Sequence, residues 1–160
     1  MKTVFLCVIL SGIFLNSVTP VIAQSPIPIG PTPLPRQVEW YHREVMAFIH
    51  FNMNTFTDSE LGSGKESPSL FNPTALDCKQ WVRTLKKAGV TCIFLTAKHH
   101  DGFCLWPSKF TNHSIKNSPY KNGGGDIVKE FTDACHSEGI KAAIYLSPFD
   151  LHESTYGTAA

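Results

Sequence analysis

Two stretches decide the fold: KKAGVTCIFLTAKHH, residues 86–100, and HSEGIKAAIYLSPFD, residues 136–150. They align with Gly89 on Gly139, and both read helix end, glycine, β-branched residue, buried strand. Val90 to Leu95 and Ile140 to Leu146, apolar but for Thr91 and Lys141, read as buried strands. The period of about fifty residues is that of a repeated βα unit.

Working back from residue 86, Asp77 is expected as the N-cap of a helix, with Gln80 three residues on and Cys78, Trp81, Val82, Leu85 and Ala88 along one face. Asp126 opens the matching helix before Gly139, with Ile127, Phe131, Ala134 and Cys135 as its apolar face. A first strand is expected over Val45 to Asn52, VMAFIHFN, covered on both faces. Long polar loops follow the strands and short turns precede them. In closed and open βα folds alike, functional groups gather at the carboxyl ends of the strands.

No GxGxxG follows the first strand, which counts against an open dinucleotide-binding sheet. Three strands cannot close a barrel, and (β/α)8 barrels run to about 250 residues. The expected fold class is therefore α/β, a partial (β/α)8 TIM barrel made of its first three βα units. Residues 39–160 are expected to form this incomplete barrel portion, preceded by a Pro-rich extended leader over 24–38, with prolines at 26, 28, 31, 33 and 35.

Residues 1–23 read as a signal peptide: Lys2, an apolar block from Val4 to Leu15, then Val21-Ile22-Ala23 before Gln24. The block is shorter than the ~20 apolar residues of a membrane span and is broken by Ser11, Gly12 and Asn16. The expectation is a secreted protein, with a lysosomal or other secretory-pathway destination left open, and no membrane partner. Asn112-His113-Ser114 is a glycosylation triplet that suits that route. Cys7 leaves with the signal, and Cys78, Cys92, Cys104 and Cys135 show no zinc spacing; Cys78, Cys92 and Cys135 read as small core residues, with disulfide pairing unassigned. A formal charge of +1 and the lack of a basic tract point away from nucleic acid.

The chemistry sits at the strand ends. His50 closes the first strand, His99 and His100 the second, and Tyr145 to Asp150 the third, with Asp58, Glu60 and Trp106 in the loops above. Carboxylate, imidazole and aromatic groups on one rim are what a sugar requires, since its hydroxyls need forked polar partners and its C–H face an apolar wall. His42, His113, His136 and His152 read as ordinary surface or satisfied polar residues, Trp81 as packing, and Lys98 as a structural partner for a barrel carboxylate.

AFIHFNMNTFTDSELGSG, LTAKHHDGFCLWPSKFTNHSI and YLSPFD closely resemble the N-terminal part of the catalytic domain of family 29 glycoside hydrolases, the α-L-fucosidases, from about Glu39 to Tyr156. The resemblance implies a retaining exo-glycosidase that removes terminal α-L-fucose from glycoconjugates, with neither metal nor organic cofactor. It implies substrate contacts by His50, Glu60, His99, His100 and Tyr145, with Trp106 in the wall. It places the catalytic nucleophile and acid/base beyond this chain, so no catalytic residue is assigned within it. Leu61 and Phe149 stand where the family usually has Trp, and Asn52 where many members have Gly.

Two other readings stand beside it. One is a truncated, non-catalytic fucose binder or remnant, because an open sheet leaves edges and apolar faces uncovered. The other is a metal-dependent barrel hydrolase using His50, His99 and His100, against which adjacent histidines should point to opposite faces if strand geometry persists. The oligomeric state is left open. A first expected outcome concerns size: the secreted protein, captured with antibody to the KHHDGF region, should have an intact mass well above the 17.7 kDa of this chain. A mass at or just below that figure would favour the non-catalytic reading.

Overall fold

The computed structural model describes residues 24–27 and 29–158. The signal segment expected over 1–23 lies outside them. Residues 24–34 form no helix or strand among the described positions. A helix, α1 (Pro35–Tyr41), then begins inside the stretch expected to be extended. Its proline accounts for the difference: at the first helical position the missing N–H has no intrahelical partner to lose, and φ is preset for the helix.

Three strands follow, β1 (Met46–Ile49), β2 (Cys92–Lys98) and β3 (Lys141–Leu146), paired in parallel in the order β1-β2-β3. Register is continuous: Met46 lies beside Cys92, which lies beside Lys141, and Ile49 beside Leu95 beside Ile144. It shifts between Thr96 and Lys98, so Ala97 is accommodated as an irregularity near the end of β2.

Between β1 and β2 the chain makes one turn of helix, α2 (Asn54–Thr57), a 3-10 turn at Pro68–Leu70, and the helix α3 (Cys78–Lys87). Asp77 caps α3 as expected, accepting from the Gln80 N–H at 3.0 Å. The cap is one-sided, because the Gln80 amide turns away and donates to Thr84 Oγ1 at 3.1 Å. Ala88, expected on the apolar face, is the exposed C-cap. The matching helix α4 (Ile127–Glu138) has Asp126 accepting from the Lys129 N–H at 2.8 Å and buries all four expected face residues.

α3 and α4 lie against each other and cover one face of the sheet, where Ile93 and Leu95 are fully buried with Val82, Ile127 and Phe131. Ala47, Ile49 and Ala142 pack on the same cluster. The expectation that β1 is covered on both faces is corrected: Met46 is 42% and Phe48 50% exposed. On that face Phe48 stacks on Phe94 at 5.7 Å and Trp40 of α1 meets Phe94 edge-on, so cover is partial among the described residues. β3 likewise shows Ile144 and Leu146 to solvent.

Cys78, Cys92, Cys104 and Cys135 are all buried free thiols, and burial pushes Cys78 up to about 12 and Cys104 and Cys135 up to about 11. Cys78, Cys104 and Cys135 therefore remain protonated at neutral pH. Among the described residues no helix is long and apolar enough to cross a membrane.

In thermal or urea unfolding of the complete protein, Phe131→Ala should lose about 3–5 kcal/mol, because its ring is fully buried between α4 and the sheet. Asp126→Ala should lose about 1 kcal/mol, the worth of one helix cap. Equal losses would contradict this account of the core.

Candidate functional site

Parallel register sets the site. One step past Ile49 and Leu95, the same offset brings His50 level with Thr96, and Thr96 pairs with Tyr145. The three side chains form one row across the sheet, on the face that carries Phe48 and Phe94 two residues earlier. His50 Nδ1 and Thr96 Oγ1 are 2.7 Å apart. The Tyr145 ring stands 6.4 Å from His50 and 6.5 Å from His99.

His99 and His100 come next. Regular strand geometry would send them to opposite faces, but β2 ends at Lys98 after its irregularity at Ala97, and the two rings lie side by side with centroids 4.2 Å apart. His99 also meets His50 edge-on at 4.6 Å. Three imidazoles from two strand ends thus share one cleft. Its volume is ≈ 450 Å³, and Asn54, Thr55, Glu60 and Leu61 of the β1 loop line it with them.

Each histidine is held through Nδ1 by a polar side chain of another segment. Thr96 of β2 holds His50, Asn54 of the β1 loop lies 3.1 Å from His99, and Ser147 after β3 lies 2.6 Å from His100. Thr96 and Ser147 are buried. Ring orientation is therefore set from behind. His99 is itself buried, and burial first, then the neighbouring His100 and His50, pull it down to about 4, so it is neutral at pH 7.

The motif HHDGF explains itself in this setting. Asp101 is fully buried, and its Oδ1 accepts from the Phe103 N–H at 2.6 Å, turning the chain. Gly102 has φ +81°, and a Cβ there would collide with Asp150 Oδ1 of the β3 loop. Gly64, at φ +75°, bears in the same way on the Leu151 backbone. The loops after all three strands are thereby locked together. Lys98 Nζ reaches Asp150 Oδ2 at 2.7 Å, the structural pairing expected for this lysine.

Beyond Phe103 the chain doubles back. Cys104 bridges Lys98 in antiparallel fashion, and the Leu105 N–H donates to Ala97 O at 2.9 Å. This reversal carries half-buried Trp106 back along β2, and it is not among the side chains that line the cleft. Glu60 does line it, whereas Asp58 closes the α2 turn at φ +49°. Asn112 is exposed, and Ser114 of the same triplet is buried.

Asn54, Thr96 and Ser147 escaped the reading from sequence. A signal existed: they stand 45, 46 and 47 residues from their histidines, close to the length of the βα repeat. Among the described residues no group of three or more His, Cys, Asp or Glu side chains is arranged to hold a metal ion.

A family model described as alpha-L-fucosidase matches residues 22–160. Alpha-L-fucosidase 1 of Arabidopsis thaliana is 48% identical over 149 residues, which are 93% of this chain and 29% of that protein. The crystal structure of a glycoside hydrolase 29 family member from an unknown rumen bacterium superposes with a TM-score of 0.80 at 55% identity, over 82% of this chain and 24% of that one. A Ruminococcus gnavus GH29 fucosidase in complex with fucose superposes with a TM-score of 0.77 at 40% identity, over 84% of this chain and 28% of that one. The chain thus spans less than a third of the length of these relatives.

His99 and His113 are both pulled down to about 4, chiefly by burial, while burial pushes Asp101 up to about 6. Between pH 6.5 and 4 an unfolded histidine binds a proton that these two refuse, so their contribution to stability falls as pH falls through that window. Asp101 holds a proton that an unfolded aspartate releases, so it acts in the opposite sense from about pH 4 to 6. With two groups against one, the melting temperature should drop on acidification from pH 6.5 to 4, and His113→Gln should flatten that slope. An unchanged slope would contradict a neutral, buried His113.

Proposed function

The chain belongs to the alpha-L-fucosidase family, and from that membership we propose that the protein removes terminal α-L-fucose from glycans with retention of anomeric configuration. The observation that carries the reading is the cleft of ≈ 450 Å³ in which His50, His99 and His100 face Glu60 and Leu61. Several fixed hydrogen-bonding groups beside an apolar wall suit a deoxy sugar, whose hydroxyls need directed partners and whose methyl needs none. In this reading His50, Glu60, His99 and His100 bind the sugar hydroxyls and Tyr145 stands behind them. Trp106, set back along β2, belongs to an outer wall. Leu61 keeps an apolar surface where the family usually has Trp.

A retaining glycosidase needs two carboxyl groups ~5 Å apart. Both strand-end aspartates are committed elsewhere, Asp101 to its buried turn and Asp150 to Lys98. The family resemblance implies that the nucleophile and the acid/base are supplied by positions with no match among these 160 residues. The three βα units belong to a (β/α)8 barrel, a reading supported by the parallel order β1-β2-β3 and by the exposed Met46 and Phe48 on the face opposite the helices. Carboxylate chemistry of this kind uses neither metal nor organic cofactor.

A signal peptide over 1–23, the Pro-rich leader and a glycan on exposed Asn112 fit a secreted enzyme acting on fucosylated glycoconjugates. In the complete protein, His100→Ala should raise KM and lower kcat for an aryl α-L-fucoside, because a hydrogen bond that tightens in the transition state is lost. Wild-type kinetics in that variant would remove His100 from the sugar site, and no turnover by the wild-type protein would remove the function.

A further inference from the structure

Asn54 opens α2, and its backbone N–H donates to Asn52 Oδ1 at 3.0 Å, which fixes it at the mouth of the cleft. Its side-chain nitrogen makes two contacts, 2.7 Å to the Glu60 carbonyl oxygen and 3.1 Å to His99 Nδ1. A carbonyl oxygen only accepts, so the amide must turn its NH2 toward Glu60. The flipped amide would press two carbonyl oxygens together at 2.7 Å. Asn54 Oδ1 then faces Gly62, buried and without a hydrogen-bond partner in the structure.

With one hydrogen on Glu60 O, the second points at His99 Nδ1. That nitrogen must accept, so it carries the lone pair, and the proton of the neutral ring resides on Nε2. The other two histidines lack such a constraint, because the hydroxyls of Thr96 and Ser147 both donate and accept. We infer that Asn54 is a positioning residue for the sugar site: it fixes His99 in the Nε2–H tautomer, so that His99 always offers a donor to an oxygen of the bound sugar.

A second proton on His99 would set an N–H against the Asn54 NH2. The charged and titratable groups around the ring argue the same way on two sides, since His50 and His100 both face it. The Tyr145 ring stands 6.5 Å from it, and Glu60 is the carboxylate lining the same cleft. The low value of about 4 for His99 agrees with this arrangement, burial being its first cause. The consequence for catalysis rests on the fucosidase reading; the tautomer does not, and is measured without substrate.

The test is nitrogen NMR of the complete protein labelled at histidine, with two-bond couplings assigning each ring nitrogen. In the wild type, His99 Nδ1 should appear unprotonated and Nε2 protonated, unchanged from pH 8 to 5. In Asn54→Asp, a carboxylate that only accepts should draw the proton to Nδ1 and raise the His99 midpoint toward the ordinary value of about 6.5. For an aryl α-L-fucoside, that variant should then show a KM that changes with pH through the new midpoint, where the wild type has none. A wild-type His99 protonated on Nδ1 overturns the inference, and so does a folded Asn54→Asp variant with the wild-type tautomer. If the variant does not fold, the wild-type spectrum decides alone. The expected spectra without fucoside turnover would uphold Asn54 and count against the function.

Discussion

Parallel pairing at a constant register is the constraint on which the rest depends. Because Met46, Cys92 and Lys141 are neighbours across the sheet, each later residue as far as Thr96 has a fixed neighbour on the next strand. His50, Thr96 and Tyr145 become a single row by that arithmetic. A one-residue slip of any one strand would send its member of the row to the helix-covered face, among Ile93 and Leu95. The buried apolar face therefore protects the geometry of the polar one, since a slipped register would place histidine and tyrosine in the core.

The site has two layers with different chemistry. The front layer is imidazole, carboxylate and an apolar wall, all on the cleft. The groups that hold the rings are small and neutral, Thr96 and Ser147 buried behind them and Asn54 beside them in the cleft, each drawn from a different segment than the ring it holds. Neutral partners matter here. A carboxylate behind each ring would favour imidazolium, and three adjacent cations would repel one another. Hydroxyls and an amide orient the rings without adding a charge of their own, and the close approaches at Gly64 and Gly102 hold the loops that carry them together.

Much of this was legible in the residues. Asp77 and Asp126 announced both helix starts, and the apolar face of α4 was read residue by residue. Strand order places His50, His99 and His100 on one rim, with Asp58, Glu60 and Trp106 in the loops above it; the structure gathers the three imidazoles and Glu60 in one cleft, and leaves Asp58 and Trp106 out of its lining. Three things were not legible, each for a physical reason. α1 was hidden because a proline-rich string reads as extended until one proline serves as a first helical residue. Exposure of Met46 and Phe48 was hidden because an apolar run reports hydrophobicity and not what covers it. The place of Trp106 was hidden because the chain reversal depends on backbone pairing of Cys104 and Leu105 with β2, which leaves no mark in composition.

The central claim is that the imidazoles after β1 and β2 form part of one sugar-binding cleft. A crystal structure of the complete protein soaked with L-fucose tests it most directly. The account predicts a single fucose with its hydroxyls within hydrogen-bond distance of His50, His99 and His100 and its methyl group on an apolar wall, with the rings unmoved. Fucose bound away from these histidines, or a metal ion seated among them, would contradict it.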